Sequence, residues 1–360
     1  MYRRPKIAVT ALAFLLVGSG LGAQQPKDGI RNFTDSAGRT VRLPARLERI
    51  APSGTLAQIV LYSLVPDRLI GWSSTPAEQV KKYLPKRFWS LPTFGQFYGK
   101  NVSLNLEALI AARPDIIIDI GEAKKTIRKD MDGIQDQTGI PVVFIEATLE
   151  TFPKAYSMLG ELTGETDAAG RLSRYCAAAL EEARTNVATI PEKEWVRVYY
   201  GEGVTGLQTN PAGSIHADVL EWAGAENVAR IPIASGSGGA QITMEQLLVW
   251  NPDLIILGPA GAYGAVRTDP LWKDLAAVKA GRVYEIPEGP YNWMGRPPAT
   301  NRLIGIFWLG QLLYPQRFKG DLIARAKEYY DLFYHYDLGT AEAAALLARS
   351  GPYTGRSPAE

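Results

Sequence analysis

Apolar residues recur along the chain in two alternating patterns, helical spacing and short continuous runs. Residues 106–121 and 244–259 show this most clearly: apolar residues at helical spacing, then a Pro-Asp pair, then an apolar run short enough for a buried strand. The two stretches align without a gap at a constant offset (253 − 115 = 138), and six of the sixteen positions are identical. Each predicts a helix, a turn and a parallel strand, and the duplication indicates two similar lobes.

The same alternation of strands and helices continues through the rest of the chain. Between the two repeat copies, a stretch with apolar residues at helical spacing is long enough for one extended helix. We therefore expect an α/β fold of two lobes, each a mainly parallel sheet flanked by helices, joined by one long rigid helix. The predicted segments are an N-terminal lobe at 30–165, a linking helix at 166–190, a C-terminal lobe at 191–350 and a frayed tail at 351–360.

Residues 1–23 have the anatomy of a secretory signal peptide. Three basic residues precede an apolar stretch that ends in small residues and is shorter than the roughly 20 residues of a spanning helix. We expect cleavage near Ala23 and export to the periplasm. The one cysteine, Cys176, lies far from this point and within an apolar stripe. It predicts a buried thiol, no internal disulfide and no lipid anchor.

Composition narrows the class of protein. With 46% hydrophobic and 21% charged residues, the 360-residue chain is typical of a soluble globular protein with room for two domains. Removal of the three basic residues of the signal peptide changes the formal net charge from +2 to about −1 (2 − 3 = −1). This charge balance does not favour a nucleic acid partner.

Residues with possible enzymatic or metal-binding roles do not occur in the sequence context that such roles require. Residues 201–206, GEGVTG, match the dinucleotide-binding pattern G-x-G-x-x-G, but Asn210 and Pro211 impose a turn before any helix can begin. The two histidines of the chain, His216 and His335, show no metal-ligand spacing. We therefore expect no enzymatic activity, no cofactor and no dedicated metal site.

Each repeat copy begins with the same local chemistry. Asn105 and Thr243 are good N-caps, which places Glu107 and Glu245 at the second position of their helices. A carboxylate there is stabilised by the helix dipole, which is one explanation for both residues. The other is that one exposed carboxylate per lobe offers two symmetric docking charges to a partner.

These segments resemble the periplasmic binding proteins that serve metal-chelate ABC importers. The resemblance runs from Phe33 to Leu347 and rests on TDSAGRTVRLPARLERI, NLEALIAARPDIII, TMEQLLVWNPDLIIL and DPLWKDLAAVKAGRVYEIP. It implies that Glu107 and Glu245 form salt bridges with arginines of the two permease subunits. The later segments PYNWMGRPPATNRLIGIFWLGQLLYP and KEYYDLFYHYDL are similar to a branch that includes molybdate and tungstate binders.

Ligands of open α/β sheets bind beyond the carboxyl ends of the strands. Those loops contain Gly54, Gly121 and Glu202, and Tyr199 and Tyr200 point to opposite faces of one predicted strand. Aromatic rings and a guanidinium suit a bulky chelate, and the hydroxyl and guanidinium groups also suit an oxoanion. The predicted ligand-binding residues are Ser53, Trp72, Tyr98, Glu122, Tyr199, Tyr200, His216, Tyr263, Tyr291, Trp293 and Arg296.

We therefore expect a monomeric periplasmic solute-binding protein that delivers its ligand to the permease dimer of an inner-membrane ABC importer. The expected ligand is a metal complex of the ferric siderophore, haem or corrinoid type, and a molybdate or tungstate oxoanion is the alternative. Two other classes stay open, a nucleotide-using enzyme built on residues 201–206 and a scaffold that binds another protein. His216, near a predicted helix start, is either a solvated helix-terminal residue or a ligand contact.

Overall fold

A computed structural model describes residues 29–97, 103–233, 239–258, 263, 264, 266, 270–348 and 350. Within these residues, parallel sheets flanked by helices lie on either side of one long helix in the sequence, which confirms the predicted fold class. The predicted signal peptide and the predicted tail lie outside the described residues, and the predicted lobe limits stay predictions. No described helix is both long enough and apolar enough to cross a membrane.

The N-terminal part combines an antiparallel hairpin with a three-stranded parallel sheet. Its strands are β1 (Ile30–Thr34), β2 (Thr40–Pro44), β3 (Ile50–Pro52), β4 (Ile116–Gly121) and β5 (Val142–Glu146). Its helices are α1 (Thr55–Leu64), α2 (Glu78–Lys81), α3 (Leu106–Ala112), α4 (Ile127–Thr138) and α5 (Phe152–Thr163). Strands β1 and β2 form the hairpin, and β3, β4 and β5 pair in that order.

The linking helix α6 spans Thr166–Ala188. Its 23 residues extend for about 34 Å at 1.5 Å per residue. Glu165 is the N-cap, and Thr166 is the first helical residue. Cys176 lies on the buried face of α6 and is 0% exposed, which confirms the predicted buried thiol.

The C-terminal part is built around a larger mixed sheet. Its strands are β6 (Val196–Glu202), β7 (Gln208–Thr209), β8 (Ala225–Asn227), β9 (Ala240–Gln241), β10 (Leu254–Leu257) and β11 (Val283–Glu285). Its helices are α7 (Asp218–Trp222), α8 (Met244–Trp250), α9 (Ala276–Lys279), α10 (Asn301–Leu313), α11 (Leu322–Tyr334) and α12 (Thr340–Leu347). Strands β8, β6, β10 and β11 pair in parallel, whereas β7 and β9 add antiparallel pairs at the end of β6.

The two repeat copies form the predicted helix, turn and strand. Both helices have seven residues, and the Asn105 and Thr243 side chains accept a hydrogen bond from the third helical N–H, as good N-caps do. Both helices end on a residue in the left-handed conformation, Arg113 with φ 50° and Asn251 with φ 39°. The duplication is therefore real at the level of backbone geometry.

One shared core connects the sheets. Alternate residues of the central strands, such as Ile118 of β4 and Ile256 of β10, belong to one large apolar cluster together with α1, α5, α6, α10 and α11. The intervening residues face two smaller outer cores, one per sheet, built against α3 and α4 or against α8. Helix α11 also packs on α1, and Arg325 of α11 pairs with Glu182 of α6 at 2.7 Å. The linking helix contacts α1 and α5 of the N-terminal part and α7 and α10 of the C-terminal part, so both parts of the chain hold it.

Candidate functional site

The carboxyl ends of β3 and β4 border open space. Gly54 follows β3, Gly121 ends β4, and a Cβ atom built on either glycine would meet no atom within 4 Å. Gly54 has an extended backbone, with φ −171° and ψ −180°, and is the N-cap of α1. The strand ends that were predicted to border the ligand therefore have room in front of them.

The amino end of α1 lies directly beside this space. The first N–H groups of an α-helix have no intrahelical partner, and Gly54 has no side chain to accept from them. The first turn of α1 contains no acidic residue. The helix dipole and the available donors together favour an anion at this end.

Ser53 and Asp119 form a buried pair behind these glycines. Ser53 is 2% exposed and Asp119 is 5% exposed, and the serine hydroxyl donates to Asp119 Oδ1. Burial raises the pKa of Asp119 to about 6, although the Ser53 hydrogen bond and the charge of Lys124 oppose the shift. In this structure the Ser53 hydroxyl therefore bonds within the protein, between the segment after β3 and strand β4.

The C-terminal wall carries a network of charged and polar groups at the end of β6. Arg296 binds Glu202 in a bidentate manner, with 2.9 Å from Nε to Oε1 and 2.7 Å from Nη2 to Oε2. Nη2 also donates to Asn210 Oδ1 at 2.9 Å, and the Tyr200 hydroxyl donates to Glu202 Oε1 at 2.5 Å. Burial alone would raise the pKa of Glu202, but the Arg296 hydrogen bond and charge lower it.

His216 lies beside this network and is half-buried. Its Nδ1 lies 2.7 Å from the Gly295 carbonyl oxygen, which can only accept, so Nδ1 carries the hydrogen. Burial first and the charge of Arg296 second lower the pKa of His216. The neutral ring therefore keeps Nε2 as a hydrogen-bond acceptor or a metal ligand.

A second ion pair lies within the C-terminal part, between its helices α7 and α10. Arg302, which is 0% exposed, donates through Nη1 to Asp218 Oδ2 at 2.9 Å and to the Ile215 carbonyl at 3.1 Å. Burial raises the pKa of Asp218, Arg302 opposes this, and the charge of Glu122 adds to it. Glu122 follows β4 in the N-terminal part, so the end of β4 lies close enough to this ion pair to act on it electrostatically.

A cavity of about 540 Å³ lies beside the linking helix. It is within the range of 300–1,000 Å³ usual for small-molecule sites. Its walls come from the segment after β5, from α6 and from α7, so it borders both lobes. The lining residues are Thr148, Leu149, Glu150, Arg184, Val187, Ala188, Trp195, Asp218, Glu221 and Trp222.

The predicted aromatic residues pack inside the protein. Trp72 is 2% exposed with its Nε1 donating to the Phe88 carbonyl at 2.8 Å, and Trp293 is 1% exposed. Tyr199 and Tyr200 lie on opposite faces, as predicted, but both are 0% exposed because a core covers each face of β6. Contact with a ligand would require their neighbours to move.

Three further predicted positions have different surroundings. Tyr291 is partly buried and its ring centroid lies 6.2 Å from that of Tyr334. Tyr263 packs against the outer core of the C-terminal sheet. Tyr98 lies outside the described residues. Ligand contact by any of the predicted residues stays a prediction.

Some polar residues of this region escaped the sequence analysis. Asp119 had a signal, because it is the one charged residue in the apolar run of β4. Asn210 and Arg302 had none, since their burial depends on elements distant in the sequence. Each retains one buried donor, Asn210 Nδ2 and Arg302 Nη2, without a hydrogen-bond partner among the described residues.

The GEGVTG segment does not open a helix. Its last glycine, Gly206, is followed by β7, which pairs antiparallel with the end of β6. The helix whose start was predicted near His216 begins only at Asp218, because Ala217 N–H bonds to the Ser214 carbonyl in a preceding turn. No helix amino end is therefore available to hold a pyrophosphate after this glycine loop.

The two repeat glutamates lie on the surface. Glu107 and Glu245 are exposed, each at the second position of its helix, as predicted. Neither forms an ion pair with another described residue. Among the described residues, no group of three or more His, Cys, Asp or Glu side chains could hold a metal ion.

Comparisons with known proteins extend over most of the chain. Residues 55–290, more than half of it, match the sequence profile of the family described as "Periplasmic binding protein". A solved ABC transporter solute-binding protein from Sulfurospirillum deleyianum has a TM-score of 0.82 and 30% identity, covering 88% of this chain and 99% of its own. The molybdate-binding protein MolA of Haemophilus influenzae is 25% identical over 329 residues, covering 84% of this chain and 91% of MolA. The Fe(3+)-citrate-binding protein YfmC of Bacillus subtilis is 24% identical over 295 residues, covering 79% of this chain and 90% of YfmC.

Proposed function

The chain belongs to the periplasmic binding protein family, as its sequence resemblance indicated, and from that premise we propose that it captures an anionic metal complex between its lobes. It then delivers this ligand to the permease of an ABC importer. The observation that carries the proposal is the open space before Gly54 and Gly121, at a strand end whose Glu122 lies close enough to Asp218 and Arg302 of the C-terminal part to shift their pKa values. Capture without covalent chemistry needs no catalytic group.

The anionic character of the ligand follows from the donors around this space. The amino end of α1 offers backbone N–H groups and a favourable dipole. Arg296, at the end of β6, is already paired with Glu202, so the preference for an anion rests on α1. Complexes of a metal with carboxylate ligands combine negative charge with bulk, which suits the room in front of the glycines. The ferric citrate binder among the relatives supports this class.

A metal oxoanion is the second candidate. The unpartnered donors Asn210 Nδ2 and Arg302 Nη2 are suited to acceptor oxygens, although each is buried within the wall. The molybdate binder among the relatives supports this alternative. Molybdate is compact and has no apolar surface, so it would depend on hydrogen bonds rather than on the open space.

Calorimetric titration of stripped protein with ferric citrate, molybdate, tungstate, haemin and cobalamin separates these candidates. The proposal expects tight 1:1 binding of a metal–carboxylate complex and at least about 100-fold weaker binding of the oxoanions. Tighter binding of molybdate or tungstate would select the second candidate. Absence of binding to all five, together with no metal in protein purified from its own host, would overturn both.

Delivery to the permease would use the two repeat helices. We propose that Glu107 and Glu245 pair with arginines of the two permease subunits, one per lobe. Their exposure on equivalent helices supports this role. The shared core around α6 supports a nearly fixed separation of the two carboxylates, with lobe closure of only a few degrees.

We also propose export with cleavage near Ala23 and a mature protein without a lipid anchor, acting as a monomer. The buried position of Cys176 within α6 supports this, because lipidation requires an accessible cysteine at the new amino terminus. Mass spectrometry of the mature protein tests the point. A diacylglyceryl adduct or an uncleaved leader would contradict it.

A further inference from the structure

The two repeat helices each expose a large apolar side chain close to the glutamate. Ile110 of α3 is 46% exposed and Val249 of α8 is 78% exposed. Single exposed apolar residues are common on protein surfaces. Among the described residues, however, seven large apolar side chains are exposed, and two of them fall on these two short helices.

Helix geometry places each apolar residue beside its glutamate. Ile110 follows Glu107 by three residues and Val249 follows Glu245 by four. At about 100° per residue, the apolar side chain lies about 60° to one side of the glutamate in α3 and about 40° to the other side in α8. The leucine two residues after each glutamate is 0% exposed and faces the lobe. Charge and apolar surface therefore share the outward face of both helices.

An exposed carboxylate alone fixes orientation more than it contributes affinity. Ion pairs at the rim of an interface steer association, whereas burial of apolar side chains slows dissociation. A partner that binds both helices must therefore present a basic group and an apolar surface to each of them. The periplasmic surface of a permease subunit, with the arginine of the proposed docking pair, would supply both.

We propose that each repeat helix docks through a paired contact, in which the glutamate meets a permease arginine and the neighbouring apolar residue is buried against the same permease subunit. Val249 makes the larger apolar contact because it is the more exposed. The proposal rests on the proposed delivery function. Beyond the two charge pairs, it adds one apolar contact per lobe, and the contribution of this contact to affinity differs between the lobes.

Site-specific photo-cross-linking in host cells tests the partner directly. The photoreactive residue p-benzoylphenylalanine replaces Ile110, Val249 or the exposed Gln246, and the matched controls carry it at Ile30 or Val204, which are 67% and 76% exposed. We expect positions 110, 246 and 249 to capture the transmembrane subunit of an ABC importer, identified by mass spectrometry of its peptides. The two controls should capture none of it.

The outcomes separate this inference from the proposed function. Capture of the permease at 246 but not at 110 and 249 overturns the apolar contact and leaves the delivery function standing. Failure at all three positions overturns both. Equal capture at the control positions also overturns the inference, because contact would then not depend on the helix face.

Affinity for the reconstituted permease gives a quantitative test. Val249→Ser should weaken binding by about tenfold, or about 1.4 kcal/mol, and Ile110→Ser by about threefold, with an unchanged dependence on salt. Glu245→Gln should instead reduce the salt dependence, while the control Val204→Ser stays within about twofold of the parent protein. Circular dichroism melts confirm that each variant is folded. A Val249→Ser affinity within twofold of the parent protein would contradict the proposal.

Discussion

The walls that the two lobes present to the space between them satisfy their polar groups in different ways. At the N-terminal strand ends, Gly54 and Gly121 face open space and the amino end of α1 keeps donors available. At the C-terminal strand ends, Glu202 and Arg296 already bind each other. One wall therefore offers room and unused donors, whereas the other is organised before a ligand arrives.

The repeat helices show the opposite relation between the lobes. Helices α3 and α8 have the same length, the same type of cap and a glutamate at the same position. The similarity lies on the outer surface, where a partner with two equivalent subunits would require it. The difference lies at the strand ends, where one asymmetric ligand would contact both walls. Five variants and one distance measurement test this contrast.

The largest effect is expected for charge reversal on the outer surface. Glu107→Lys combined with Glu245→Lys should abolish uptake, by more than about 100-fold, because each carboxylate would become a repelling cation opposite an arginine. Ligand affinity should stay within twofold. Uptake of a radioactive metal in host cells measures the first quantity and calorimetry the second. The exposed Glu192→Lys is the control, and loss of ligand affinity in the double variant would contradict the assignment of the two carboxylates.

The second-largest effect is expected when a side chain fills the open space in front of the N-terminal wall. Gly121→Phe places a ring in front of β4 and is expected to weaken ligand affinity by at least about 100-fold, because the ring occupies the ligand's place. Gly133→Phe on α4, whose Cβ would meet only Gln137 at 4.0 Å, is the matched control. Titration with the compound that the parent protein binds provides the measurement. Unchanged affinity in the Gly121 variant would place the ligand elsewhere.

Substitutions in the C-terminal wall, where Glu202 and Arg296 bind each other, should change the stability of the protein. Glu202→Gln removes the charge opposite Arg296, whose side chain is 33% exposed, and is expected to cost about 2–4 kcal/mol in the free energy of unfolding. The double variant Glu202→Gln with Arg296→Gln should recover part of this loss, because no guanidinium is left unpaired. Urea denaturation measures both. Equal stability of the single variant, the double variant and the parent protein would mean that the network contributes nothing.

For substitution of Asp119 we expect a smaller effect on stability, and this effect should depend on pH. Its folded-state pKa of about 6 is above the ordinary value of 3.8, so the folded protein holds the proton more tightly than the unfolded chain. The stabilisation is complete below pH 3.8 and is lost as the pH rises through about 6. We therefore compare the change in the free energy of unfolding that Asp119→Asn causes at two pH values. This change should be more stabilising at pH 8 than at pH 4, by about 2 kcal/mol. The exposed Asp136→Asn is the control, and a pH-independent effect of Asp119→Asn would contradict the buried carboxylate.

The smallest expected change is in the separation of the lobes. Spin labels at Ala111→Cys and Val249→Cys report the distance between the outer surfaces, and Cys176 is too buried to react. The shared core around α6 predicts a shift of no more than about 2 Å on ligand binding. A shift above about 5 Å, as in hinge closure, would contradict the rigid link.

The sequence predicted the elements whose signals are local. The bounds of α3 and α8 followed from an N-cap, helical spacing and a Pro-Asp stop within one window. The apolar run at 301–313 likewise favours a helix, and α10 forms there between Thr300 and Tyr314. The apolar residues near 271–278 also favour a helix, but Leu275 is extended and divides this region into a 3-10 turn and α9. Only the packing of that loop decides its conformation.

The site was less predictable because burial depends on distant elements. Position after a strand end located Gly54, Gly121 and Arg296 at or beside the ends of their strands, and their contact with a ligand stays a prediction. It could not show that Trp72 and Trp293 are covered by other parts of the chain. Nor could it show that Arg302 of α10 would reach Asp218, 84 residues away. Pairing of that kind is a property of the folded chain.

Metal analysis of the protein purified from its own host tests the central claim most directly. Native mass spectrometry with elemental analysis should find one metal-containing compound per chain in the parent protein and none in the Gly121→Phe variant, with Gly133→Phe matching the parent. A parent protein without metal, or equal metal content in all three, would contradict capture between the lobes.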